Sequence, residues 1–342
     1  MPLQPLNQPP LHPQQLSDFD YALPPTLIAQ TPLAVRDQSR LLVVHTNTKQ
    51  LEHKHFYDIT HYLSAGDVLV INTSKVIKAR LHGTKPTGGK IEIFLLTPLG
   101  NQHWHCLVKG SVQPGMIIQI HAAVTATILQ PVEEMWEVTF NTDDITAYGE
   151  VPLPPYIKTQ SPPKELEQRY QTVYAQEAGS VAAPTAGLHF TPELLQTLKA
   201  QGVIIVPVML HVGLGTFASV KTEDITQHQM HAEYAVLPAS TAQAIATAKT
   251  TGHKVVAVGT TSCRTLEAFC GQAGEGWVNI FIYPGYTFNT VDALITNFHL
   301  PKTSLLMLVS ALAGTDLIKQ AYTEAIKEQY RFFSFGDAML IT

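Results

Sequence analysis

The stretch Asp67-Val-Leu-Val-Ile-Asn-Thr-Ser-Lys-Val-Ile-Lys-Ala-Arg-Leu-His-Gly-Thr-Lys-Pro-Thr-Gly-Gly-Lys-Ile-Glu-Ile-Phe-Leu-Leu-Thr97 decides the fold. It opens on a short apolar run, Asp67–Asn72. The turn signal Thr87-Gly88-Gly89 then separates two β-rich runs, Val76–Lys85 and Lys90–Thr97. The same punctuation continues downstream. Gln113-Pro114-Gly115 divides Trp104–Lys109 from Met116–His121, and Val124–Leu129 and Met135–Phe140 follow. About six or seven short strands joined by turns predict a small antiparallel β-barrel over residues 64–150. The proline-rich VPLPPYIKTQSPP that follows reads as a linker.

Beyond the linker, helix and strand alternate. Thr191-Pro192-Glu193 is a helix start, with an N-cap Thr, Pro at the first position and then an acid. Val203–Leu210 and Val255–Val258 are apolar strands, and Val278–Tyr283, Ala293–Phe298 and Ala338–Ile341 are expected to be strands as well. Helices are predicted over Ala239–Thr251, Thr261–Phe269, Thr303–Ala313 and Asp316–Gln329. Strands alternating with helices imply a layered α/β body, formed by residues 17–63 and 151–342 and interrupted by the β-barrel. Residues 1–16, with five Pro and four Gln, are expected to be a flexible tail.

Composition restricts the function. The chain has 342 residues, of which only 14% are charged, against roughly 25% in an average soluble domain. The net charge of −5 excludes a generally basic nucleic-acid binder. The charge is not evenly spread. Between Val68 and Val132 six cations face Glu92 alone, a net +5, so the rest of the chain carries −10. Lys75, Lys78, Arg80 and Lys90 fall in one strand pair that suits a phosphate backbone. Cys106, Cys263 and Cys270 show no CxxC spacing, so a reducing compartment is expected rather than a disulfide scaffold. The apolar run Leu305–Gly314 is about half a membrane span, and the N-terminal segment has no signal-peptide pattern. A cytoplasmic monomer is therefore expected.

Four segments carry candidate chemistry. In VAVGTTSCR (256–264) a strand runs into Gly259 and opens a helix, so Thr260, Thr261 and Ser262 can hold an anion and Arg264 can clamp a carboxylate. In HVGLGTFASV, Gly213 and Gly215 superficially fit a dinucleotide fingerprint, but no helix pattern follows, and a tight ligand-approaching loop fits better. PTAGLHF, HVGLGTF and QMHAEYAVLP supply His189, His211, His231 and Glu233 for acid/base work. His228-x-x-His231-x-Glu233 lacks the order of a zinc motif, so no metal is expected. The segment 282–308 offers Tyr283, Asn297 and Phe298 for a base pocket. No GxSxG elbow and no GxxxxGK[ST] loop is present.

Taken together, DFDYALPPTLIAQ (18–30), DVLVINTSKVIKARLHG (67–83), GGKIEIFLL (88–96), AAPTAGLHFTPELL (182–195), HVGLGTF (211–217), MHAEYAVLP (230–238), VVAVGTTSCRTLE (255–267) and residues 279–314 resemble the S-adenosylmethionine:tRNA ribosyltransferase-isomerase family of queuosine biosynthesis. The resemblance implies an α/β body with an inserted β-barrel. It implies that S-adenosylmethionine serves as ribosyl donor and the amine of 7-aminomethyl-7-deazaguanine in a tRNA anticodon loop as acceptor. Epoxyqueuosine-tRNA, adenine and methionine are then the products, with no cofactor beyond the co-substrate. The tail departs from the family, which begins near the DFDY segment, and is expected to be dispensable. Two other readings stand beside it: a nucleotide-dependent oxidoreductase using Gly213-x-Gly215, and a non-enzymatic RNA-binding protein using the β-barrel alone.

Overall fold

The computed structural model describes residues 14–158, 164–213 and 220–342. Residues 1–13 of the expected tail, and Gly215, lie outside the described residues. In chain order the strands are β1 (Arg40–Val44), β2 (Leu51–His55), β3 (Val68–Asn72), β4 (Ser74–Val76), β5 (Arg80–Thr84), β6 (Lys90–Gly100), β7 (His103–Lys109), β8 (Ile117–His121) and β9 (Val124–Val132). They continue as β10 (Met135–Phe140), β11 (Glu177–Ser180), β12 (Ile204–Leu210), β13 (Glu233–Leu237), β14 (Val255–Val258), β15 (Gly274–Val278), β16 (Ala293–Asn297) and β17 (Ala338–Ile341). The helices are α1 (Lys164–Arg169), α2 (Pro192–Ala200), α3 (Ala239–Thr251), α4 (Gly259–Ala268), α5 (Ser304–Ala313) and α6 (Thr315–Lys327).

Two compact units divide the chain, one comprising Val76–Pro154 with Ala178–Ala182 and the other the remainder. The smaller unit is a closed antiparallel barrel in the order β10-β7-β6-β5-β8-β9, as the alternating runs predicted. Leu81, Ile91, Ile93, Leu95, Ile118, Ala126, Ile128 and Val138 fill it, and their intervening neighbours face outward, the period of two that a small barrel needs.

The larger unit is built on a nine-stranded mixed sheet, β15-β13-β12-β3-β14-β16-β17-β1-β2. Sequence reading placed Val68–Asn72 with the barrel, in a block beginning at residue 64. The structure puts it at the middle of this sheet, parallel to β12 and to β14. The reason is burial on both faces. Val68 and Val70 enter one apolar core with Ile245 of α3, Leu266 of α4 and Met307 of α5. Leu69 and Ile71 enter the other, with Phe56, Ile59 and Leu194 of α2. A continuous apolar run is the mark of such a strand, whereas the barrel strands alternate.

Local rules hold elsewhere in this unit. Thr191 accepts the Leu194 N–H to cap α2, and Gly252 ends α3 at a φ of 76°. The run Val278–Tyr283 is not a strand. The strand lies before it at Gly274–Val278, on the sheet edge, where two glycines hid it from sequence reading. The end of the expected tail is docked, since Leu16 is buried and its N–H donates to Glu223 O at 2.8 Å. Truncating Leu69 to Ala should lower unfolding free energy by about 2–5 kcal/mol. Ile204→Ala, on a side chain 41% exposed, should change it by about 0.5 kcal/mol or less. Urea midpoints measure both.

Candidate active site

The strands β12, β3, β14 and β16 run parallel, so their carboxyl ends share one edge. The chain adds β12 on one side of β3 and later β14 on the other, and ligands of open α/β sheets bind at such a switch point. The edge carries Asn72-Thr73-Ser74, His211, Gly259-Thr260-Thr261 and Asn297. Asn72 fixes its centre. The Asn72 amide donates to Leu210 O at 3.0 Å and accepts from Leu210 N and Ser74 N, both at 3.1 Å.

A buried ion pair stands beside this edge. Glu233 opens β13 on its inward side, and Arg264 lies in the second turn of α4. Glu233 and Arg264 are each 4% exposed. Glu233 Oε2 accepts from Arg264 Nη1, and Glu233 Oε1 accepts from Gly213 N at 2.9 Å. Arg264 Nε reaches Ile280 O at 3.4 Å, but Nη2 is buried with no partner among the described residues. Gly259 begins α4 at a φ of 84°, and a β-carbon there would lie 3.7 Å from Ala186. The left-handed backbone is why this first position is glycine.

Further polar atoms near the edge are buried and unpartnered among the described residues: Thr261 Oγ1, His211 Nδ1 and Ser74 Oγ. Thr172 Oγ1 and Tyr174 Oη share that state, and both crowd Gly187, where a β-carbon would lie 2.1 Å from the Tyr174 hydroxyl. Buried polar groups normally find partners, so a cluster of orphans is a candidate place for a polar ligand. Ser74, Thr172 and Tyr174 had no signal in the sequence, because a hydroxyl's lack of a partner is visible only once the chain is folded.

Other candidates fare differently. His189 is fully enclosed rather than free for acid/base work. Asn297 Nδ2 lies 3.0 Å from His189 Nε2 and also approaches Phe333 O and Asp337 O, so the amide donates and Nε2 accepts. The proton then sits on Nδ1 and points to Ser39 Oγ at 2.7 Å. Burial, with Arg36 and Arg331 adding to it, holds His189 down at about 3. Asn297 is thus a partner of His189 rather than part of a base pocket. Phe298 is 0% exposed among Tyr322, Tyr330 and Phe332, so its ring has no face for a ligand. Tyr283 keeps 9% exposure. Ser262 Oγ donates to Val258 O at 2.8 Å, which withdraws it from the anion site. His231 is exposed while Glu233 is buried. His211 is half-buried, and burial lowers its pKa against the opposing pull of Glu177. Burial, then Glu267, push the Cys263 thiol well up, with Arg264 opposing, so it is no nucleophile.

Glu267 was not singled out in the sequence. Its buried carboxylate accepts from Tyr286 Oη and Asn289 N at 3.0 Å each, and from Thr290 N and Val291 N at 3.0 and 2.9 Å. One side chain thereby holds the loop that leads into β16. In the barrel unit Lys78 and Lys90 are exposed with no ion-pair partner among the described residues, while Arg80 Nε stands 3.9 Å from Glu92. Lys75, also exposed, ends the neighbouring segment of the larger unit. Among the described residues no group of three or more His, Cys, Asp or Glu is arranged to hold a metal ion, and no helix is long and apolar enough to cross a membrane.

A carboxylate–guanidinium pair, a helix start and a histidine thus stand together at the carboxyl edge of a layered α/β sheet, where enzymes of this architecture bind their ligands. Residues 16–341 match the family described as queuosine biosynthesis protein, and the chain belongs to that family. It is 52% identical over 346 residues to the S-adenosylmethionine:tRNA ribosyltransferase-isomerase of Natranaerobius thermophilus, covering 96% of this chain and 99% of that one. It is 50% identical over 348 residues to the enzyme of the same name from Desulforamulus reducens, with 96% and 99% covered. The crystal structure of the S-adenosylmethionine tRNA ribosyltransferase of Thermotoga maritima superposes with a TM-score of 0.56 at 39% identity, covering 95% of this chain and all of that one.

Two measurements check the electrostatics. Glu233→Gln strands a buried cation and should cost about 3–5 kcal/mol, and Glu233→Gln combined with Arg264→Met should cost less than the single change. His189, at about 3 when folded and 6.5 otherwise, is neutral in the folded chain where the unfolded chain binds a proton. Its stability contribution is therefore present above pH 6.5 and lost as the pH falls toward 3. Within that window His189→Gln should reduce the slope of stability against pH by ~1.4 kcal/mol per unit, read from urea melts.

Proposed function

We propose that this chain transfers and isomerises the ribosyl part of S-adenosylmethionine onto 7-aminomethyl-7-deazaguanine in a tRNA anticodon loop, giving epoxyqueuosine-tRNA, adenine and methionine. The observation that carries the assignment to residues is the Glu233–Arg264 pair with its unpartnered Nη2 edge. Both oxygens of the Glu233 carboxylate are already engaged, one by the guanidinium and one by a backbone N–H. Glu233 therefore serves to aim Arg264, and the free edge of Arg264 takes the methionine carboxylate. Thr261 and the start of α4 add donors to the same anion.

The reaction needs a base at the donor 5′-carbon, whose protons the adjacent sulfonium acidifies. His211 fits that role. Its imidazole stands at the sheet edge with Nδ1 unpartnered, and the lowered pKa keeps it in the base form at neutral pH. Adenine then leaves, the neutral acceptor amine attacks the ribose, and rearrangement to the epoxide expels methionine. Tyr283 offers aromatic surface to the adenine. Holding two large substrates in one geometry supplies much of the acceleration. No cofactor beyond S-adenosylmethionine is required, the chain acts as a monomer because one copy supplies every named group, and the substrates place it in the cytoplasm.

Lys75, Lys78, Arg80 and Lys90 contact tRNA phosphates in this reading, Arg80 less than the others because Glu92 neutralises part of its charge. Incubation with S-adenosylmethionine and precursor-bearing tRNA should release adenine and methionine; adenosylhomocysteine instead would sink the reading. His211→Asn should slow single-turnover transfer by roughly 10²–10⁴, while a near-wild-type rate removes His211 from the mechanism. Lys78→Ala with Lys90→Ala should flatten the dependence of tRNA affinity on salt by about 0.7–0.9 per lost phosphate contact.

A further inference from the structure

The anion site at Arg264 leaves another pair of guanidiniums unexplained. Arg36 and Arg169 both line a small cavity of the larger unit, of about 20 Å³, together with Ser39, His189, Ser334 and Gly336. Each arginine is latched on one side by backbone carbonyls. Arg36 donates to Leu188 O and Gln171 O, both at 2.9 Å, and Arg169 donates to Ala34 O at 2.9 Å and Leu33 O at 2.6 Å. These latches hold two cations in fixed positions near one another. Among the described residues no carboxylate lines the cavity. Two acids that flank the cavity-lining residues in sequence are engaged elsewhere: Asp37 accepts from Thr191 Oγ1, and Asp337 accepts from the Arg40 and Arg331 N–H groups. His189 is neutral, as argued above, and offers no counter-charge. Arg169 Nε is buried without an acceptor.

We propose that the Arg36–Arg169 cavity binds a phosphate group of the RNA substrate, taking one non-bridging oxygen between the two guanidiniums. The volume suits a single oxygen-sized guest, and fork-shaped donors suit a phosphate. Mutual repulsion supports it: burial, then the Arg169 charge, lower Arg36 to about 10, with Tyr174 opposing. An anion between the two removes that penalty. The site rests on the tRNA reading above for the source of its phosphate, while the cavity and its charge stand without it. It adds a backbone contact in the larger unit to those of the barrel cations.

The test uses the full chain. Arg169→Gln and wild type are compared in tRNA binding across salt concentrations, with thermal melting alongside. Loss of one contact should flatten the slope of log affinity against log salt by about 0.7–0.9, and an unchanged slope overturns the proposal. Arg169 also latches the 33–34 backbone, so a second measurement needs no variant. Phenylglyoxal labelling of wild-type protein, read by peptide mass, should fall at Arg169 when tRNA is present. Protection by inorganic phosphate but not by tRNA assigns the cavity to a free anion and overturns the RNA source. Protection by neither overturns the site altogether. Wild type that still releases adenine and methionine while Arg169 stays labelled refutes this inference and leaves the functional reading intact. Wild type that makes no product refutes that reading, and with it the RNA source of the phosphate.

Discussion

The body of this protein depends on one strand that sees no water. Val68–Asn72 places successive side chains into two separate apolar cores, and every residue of it is buried. Both faces must be covered, because a parallel strand that is apolar on both sides leaves one of them in water unless helices pack on each. The helices on both faces follow from that constraint, as do the parallel neighbours β12 and β14. At the strand's carboxyl end the apolar pattern stops at Asn72, whose amide replaces the next ladder bonds to Leu210. The site therefore begins where the hydrophobic constraint ends, and there the Asn72 side chain adds to the backbone bonds that Thr73 still makes with Val208.

The same division of labour governs charge. Buried ionic groups here are either fully bonded or conspicuously short of one partner. Glu267 is the first kind, with four donors on two oxygens, and it acts purely to hold a loop. Arg264 is the second kind, with one edge committed to Glu233 and the other empty. An unmatched guanidinium edge in a low-dielectric site is costly by itself, and binding of an anion recovers that cost. Stability and ligand recognition thus use the same residue types and differ in whether the bonding is complete.

Much of the architecture was legible in the chain because periodicity reports burial directly. Alternating runs such as Lys90–Thr97 became barrel strands, and Thr191-Pro192 and Gly252 bounded helices where their backbone preferences require. The misplacement of Val68–Asn72 came from proximity: it adjoins barrel strands in sequence, and a continuous apolar run says that both faces are covered without saying by what. The site was legible as segments and not as roles. Glu233, Arg264 and Gly213, singled out from three separate segments, do meet. His189, Asn297 and Phe298 belonged to equally suggestive segments, yet β16 turns Asn297 toward His189, and Phe298 beyond it enters the aromatic core. Which face a residue takes at a strand end is set by packing, and no spacing rule reveals it.

The charge asymmetry acquires a physical meaning at this point. A net of −5 over the whole chain repels a polyanion at long range, while the local +5 of the Val68–Val132 stretch attracts it at one place. At physiological ionic strength the Debye length is about 8 Å, so the diffuse negative charge is screened and close cations decide the contact. Exposed Lys78 and Lys90 can meet phosphate without first breaking an ion pair, whereas Arg80 must loosen from Glu92. A low charge density with a few uncompensated cations therefore favours one orientation of an RNA over many. That selectivity matters for an enzyme that must present a single nucleoside of the loop to its donor.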